Sequence, residues 1–169
     1  MVILAVIVVV AASSAGIGIV QKSTVTTVTS STATVESAVS NNIVNAVVTV
    51  GARTYESYQI NVPDGATGIT VTGSFTASGG SGNDIEVFVL DSIDYTNWVN
   101  GHQVSAYYDS GQVTTNTLNV QLPGSGTYYL VYSNTFSLLS SKDVNTQVNL
   151  NYQIPVQTVV MYTTSYVTS

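Results

Sequence analysis

Apolar residues along this chain follow two different rhythms, and the change comes near Gly51. Met1–Val20 reads MVILAVIVVVAASSAGIGIV, with no charge and only Ser13 and Ser14 polar. A run of about 20 such residues matches the hydrocarbon thickness of a bilayer. A cleaved secretory signal would need a basic region ahead of a shorter apolar run, and no Lys or Arg precedes Val2. From Ile19 to Val50 there is neither Gly nor Pro, and apolar residues recur at Val25, Val28, Val35, Val39, Ile43 and Val47. Spacings near four are those of one helix face. The pattern therefore predicts one long helix over 1–48, apolar all round at first and amphipathic afterwards, reaching roughly 70 Å. Thr and Val oppose it, each costing a few tenths of a kcal/mol in helix propensity, and packing against copies of the same helix would have to offset that. The competing expectation is a membrane anchor followed by a flexible Ser/Thr-rich stalk.

After Gly51 the language is that of strands. Runs rich in Val, Ile, Tyr and Thr alternate with turn clusters: Tyr58–Val62 before Pro63-Asp64-Gly65, Ile69–Thr76 before the Gly79–Asn83 loop, then Ile85–Leu90 and a polar loop from Asp91 to Gln103. Val104–Tyr108 precedes Asp109-Ser110-Gly111, Thr117–Leu122 precedes Pro123-Gly124, and Thr127–Tyr132, Val144–Gln153 and Thr158–Val167 complete the set. Regularly spaced short strands predict an antiparallel β-sandwich, jelly-roll or Ig-like, over 51–169. Period-2 alternation nominates Ile69, Val71, Phe75, Ile85, Val87, Val89, Leu130, Tyr132, Val148 and Leu150 for its inner faces. The fold class expected is thus α+β, an N-terminal helix and a sandwich head.

Composition narrows the functional classes. Only 7% of residues are charged, against about 25% in ordinary soluble domains. With Lys22, Arg53 and Lys142 as the only basic residues, a nucleic-acid partner lacks its phosphate-neutralising cations. Polarity rests on hydroxyls and amides, which do not titrate in the usual range, a surface suited to an extracellular setting. The chain has no Cys and no Asn-x-Ser/Thr sequon, so neither disulfides nor N-glycans are expected.

Residues with catalytic or metal-binding chemistry are sparse and scattered. His102 is the lone histidine, in the 91–103 loop, and no nucleophile elbow surrounds any Ser. Asp84, Glu86, Asp91 and Asp94 are the densest acidic group but lack a calcium-loop pattern, and Gly79-Gly80-Ser81-Gly82 lacks the Lys and helix of a phosphate cradle. No enzyme activity, metal or cofactor is expected. Tyr95, Asn97, Trp98 and Asn100 form a candidate surface-recognition loop, since aromatic faces with amides suit sugars; the plainer reading has Trp98 capping the sandwich edge.

Two resemblances add to this reading. The run from Gly126-Thr127-Tyr128-Tyr129 through Asn134-Thr135-Phe136-Ser137 to Ser141-Lys142 resembles the late strands of GOLD-type domains, compact β-sandwiches used for protein contacts and often tied to membranes. The organisation of the whole chain, a charge-free N-terminal run leading into a long helix and a Ser/Thr/Tyr-rich sandwich, resembles archaeal type IV pilins and archaellins. Prepilins of that family carry a basic leader that is not present here, so the resemblance implies a processed form. It further implies a homopolymeric surface filament, used for attachment, with helices bundled in its core, membrane insertion before assembly, and heads outermost. The GOLD resemblance implies instead a membrane-anchored module that binds a protein or glycan.

Overall fold

The computed structural model describes residues 3–8, 24–80 and 82–168, with side chains over 35–80 and 82–155 and at Val160. Its elements in chain order are β1 (Ile3–Val8), β2 (Thr24–Val50), β3 (Tyr55–Val62), β4 (Thr67–Ser78), β5 (Ile85–Asp91), α1 (Ser92–Val99), β6 (Tyr108–Val113), β7 (Thr115–Gln121), β8 (Gly126–Ser133) and β9 (Lys142–Thr168). They form one sheet in the order β1-β2-β9-β4-β7 and a second in the order β3-β8-β5-β6. The chain falls into two compact units, Met1–Glu36 with Pro155–Ser169, and Ser37–Ile154.

The long N-terminal helix is not there. Ile3–Val8 and Thr24–Val50 are strands, so the chain is mostly β and its only helix among the described residues is the short α1. β-branched Val, Ile and Thr dominate both segments, and their stiff χ1 favours the pleated conformation. Spacings of four, read as a helix face, are also multiples of two and place residues on one side of a strand. The stripe itself does not form a buried face. Val35 and Val47 are exposed, Val39 and Ile43 are half-buried, and the side chains of Val25 and Val28 lie outside the described residues. Inward positions belong to Val44, Val48 and Val50.

In the Ser37–Ile154 unit the two sheets pack face to face. Val71, Phe75, Leu118, Val120, Val144, Val148 and Leu150 from one sheet meet Ile60, Val62, Ile85, Val87, Val89, Leu130 and Tyr132 from the other in a single core. This sandwich agrees with the alternation in the sequence, and every inner-face candidate named above is buried. β4 runs antiparallel to both β7 and β9, with Val71 opposite Val120 and Leu150. At Gly73 the strands come close enough that a Cβ would collide with the Gln147 carbonyl oxygen and stand 2.8 Å from Val148 Cα. Tyr132 spans the layers: its hydroxyl lies 2.7 Å from Thr146 Oγ1, which donates to the Ser74 carbonyl.

Two local expectations change as well. Asp109-Ser110-Gly111 lies within β6 as a bulge, not a turn: the pairing steps from Glu86↔Gln112 to Phe88↔Asp109, and Gly111 takes φ 58°. Left-handed backbone at such a bulge suits glycine. Ser110 Oγ accepts the Val87 N–H there. β9 also runs unbroken through Pro155.

Candidate functional site

The predicted recognition loop is a helix laid on the outer face of the second sheet. Asp91 starts it, its carboxylate accepting the N–H groups of Ile93 at 2.9 Å and Asp94 at 2.8 Å, which satisfies donors a first turn leaves open. Asn100 ends it by donating from Nδ2 to the Thr96 carbonyl, and Gly101 follows at φ 77°, the usual left-handed exit. β5 is thus buried on both sides: Val87 and Val89 face the sandwich interior, while Phe88 and Leu90 join Val131 in a second, outer core.

Tyr95 and Trp98 point into that outer core. Trp98 meets Tyr55 edge-on with centroids 4.9 Å apart and lies tilted over Phe88 at 5.6 Å; Tyr95 stacks on Tyr129 at 3.9 Å. The Tyr95 hydroxyl is also 3.0 Å from Ser57 Oγ. Hydrogen bonding to Tyr95, followed by partial burial, pushes the Tyr55 phenol up. Asn97 serves the helix exit, its carbonyl accepting from the His102 N–H. Of the four candidates the structure brings Tyr95 and Trp98 together as packing groups, and uses Asn97 and Asn100 to finish the helix. What remains open beside them is a shallow cleft of about 270 Å³ lined by Tyr55, Trp98, Val99, Gly101 and Thr135.

The acidic residues do not converge. Asp84 pairs with Lys142 at 3.0 Å, Asp91 caps α1, and Glu86 lies near Asp109 across the β5–β6 pair. The Lys142 bond holds the Asp84 carboxyl below its ordinary range, whereas burial, then the Asp109 charge, raises Glu86. No group of three or more potential metal ligands occurs among the described residues. The described glycines of the Gly79–Asn83 loop are exposed, yet each has a close neighbour on one side. Gly79 N–H donates to Asn83 Oδ1, and a Cβ on Gly80 would lie 2.6 Å from Ser140 Cβ and 3.4 Å from Lys142 Nζ.

Sequence reasoning overlooked Asn134, the best-connected polar side chain of the head. Fully buried, it donates from Nδ2 to the carbonyls of Val50, Gly51 and Ser140, and its own backbone bonds Thr54, Arg53 and Ser137. It ties the end of β2, the start of β3 and the turn before β9. A lone Asn in a turn gives no signal of such a role.

No protein-family model matches this sequence, and no curated protein matches it. Among the described residues no helix is long and apolar enough to cross a membrane, which says nothing of a crossing made by strands.

Proposed function

We propose that this protein is a structural subunit of a cell-surface polymer, joined to its neighbours by β-strands, with the sandwich facing outward. The observation that carries this reading is β1. Its sequence, ILAVIV, is apolar at every position, and it stands at the end of the five-stranded sheet. Successive residues of a strand face opposite sides, so such a strand is apolar on both faces, and among the described residues its outer edge has no strand neighbour, a template for joining chains. The charge-poor, hydroxyl-rich remainder supports an exposed extracellular sheath, and Asp84, Asp91 and Tyr95 are occupied in pairing, capping and packing.

Electron microscopy and sedimentation of the full chain test the proposal. Wild-type protein forms regular polymers, and Val6→Asp, which places a charge in β1, leaves dispersed particles. Wild-type protein that stays monomeric at high concentration would falsify it.

A second reading, a glycan-binding module, is favoured by one observation, the Tyr55–Trp98 cleft. Trp98 is the only tryptophan, so its fluorescence reports directly. Saturable changes on titration with oligosaccharides, abolished in Tyr55→Ala, would support this reading; a flat response rejects it.

A further inference from the structure

In the described structure β1 pairs with β2 from Val8↔Thr26 to Ile3↔Ser31, and β2 continues to Val50. Among the described residues its two strand neighbours are β1 and β9, so nothing described lies along its outer edge from Ser37 to Val50. The inner edge is held by β9 through Ser40–Asn151, Asn42–Asn149 and Thr49–Asp143 side-chain bonds, whose order shows the strands to be antiparallel.

Sheet edges are ordinarily guarded by charge, proline, bulges or shortness. Two other edges of the head have such guards, Glu56 in β3 with Pro63 beyond it and Asp109 with a bulge in β6; β7, uncharged as well, is half as long as the Ser37–Val50 stretch, and its exposed positions are Thr, Asn and Gln rather than apolar. Ser37–Val50 reads SAVSNNIVNAVVTV, with no charge, no proline and no glycine. Its positions near the middle are also apolar and open on alternating sides, Ala46 exposed and Val47 63% exposed. A strand laid beside them finds apolar neighbours on both faces.

We infer that this edge is the receiving lane of the polymer, and that its occupant is the β1 strand of a second copy, added by main-chain hydrogen bonding. The inference rests on the strand-mediated assembly proposed above and names its acceptor. Chemistry selects the occupant. β1 is a segment that already adds to β2 by strand pairing, from Val8↔Thr26 to Ile3↔Ser31. It is also uncharged and apolar throughout, as an uncharged edge with open apolar positions on both sides requires. An extended segment that adds to an exposed edge gains its affinity from main-chain hydrogen bonds and its fit from side chains on alternate faces.

The test uses full-length chains in three forms: wild type, Val47→Lys to block the acceptor edge, and Val6→Asp to block the donor strand. Val47 is already solvent-facing, so the lysine leaves the head's melting unchanged; Asn45→Lys, another exposed site in this stretch, is the second acceptor variant. Each blocked chain alone loses pelletable polymer, and an equimolar mixture of Val47→Lys and Val6→Asp gives a heterodimer by native mass spectrometry. If both acceptor variants polymerise like wild type, or the mixture yields no heterodimer, the lane is wrong while the polymer reading stands. If wild type forms no polymer, both fall together.

Discussion

Lys142 Nζ lies 3.0 Å from the Asp84 carboxylate, with the lysine side chain 2% exposed and the aspartate 27%. The pair joins the start of β9 to the residue before β5, so it fastens one sheet to the other at one end of the sandwich. Lys142 shares the parity of Val144 and Val148 and therefore points inward, where a charge needs a partner. Removing one member of a fully buried pair costs several kcal/mol, but access of water to Asp84 screens part of this. Asp84→Ala should lower stability by about 1–2 kcal/mol in urea unfolding at neutral pH.

The same pair sets a response to acid. Asp84 has a folded pKa below its unfolded one, so its contribution is complete above the unfolded value near 3.8 and is lost as pH falls through the lower, folded value. The part of the melting temperature that Asp84 supplies, read as the difference between wild type and Asp84→Asn, should therefore hold down to about pH 4 and shrink below it.

Glu86 works in the opposite sense. Burial and the Asp109 charge raise its folded pKa, so its ionisation opposes folding and relief comes as pH falls through the raised value. Glu86→Gln should raise the melting temperature at pH 7 and leave it nearly unchanged at pH 3. An equal gain at both pH values would place the effect in packing rather than charge.

Asn134→Ala withdraws a donor from three carbonyls and should cost about 2–4 kcal/mol, the scale of a broken buried network. Asn134→Asp presents a carboxylate to those same carbonyl oxygens. Its folded pKa is then raised, so the variant should be less stable at pH 7 than at pH 3, a reversal of the wild-type trend measurable by chemical denaturation.

Trp98→Ala removes the ring that Tyr55 and Phe88 contact, and should cost about 2 kcal/mol because the ring is only half-buried. Hydrogen exchange should show α1 amides losing protection while those of β4 and β9 keep theirs. Uniform loss would mean that the outer and inner cores unfold as one.

The head was legible wherever period 2 met clear punctuation. Ile69, Val71 and Phe75, or Ile85, Val87 and Val89, alternate cleanly between turn clusters and are buried as that alternation demands. Residues 24–50 misled because the step of three from Val25 to Val28, the step of seven to Val35 and the adjacent Ile43-Val44 break period 2, while the steps of four after Val35 fit either period; β-branched side chains carried the decision. α1 had a signal in Asp91 just ahead of Ser92-Ile93-Asp94, a capping residue with acid in the first turn, but the polar run read as loop. Lys142 could be placed by parity alone. Asn134 could not, because three carbonyls distant in sequence define its role.

The oxygen relay from Tyr132 through Thr146 to Ser74 has a consequence for how the molecule comes apart. None of its groups carries charge in neutral or acid solution, and burial pushes the Tyr132 phenol far up. Among the described residues, protons act on the tie between the layers at the Asp84–Lys142 end, and the Tyr132 crossing is deaf to them. Acid should open the sandwich as a seam parts, from that end inward, with the Tyr132 crossing the last stitch to give.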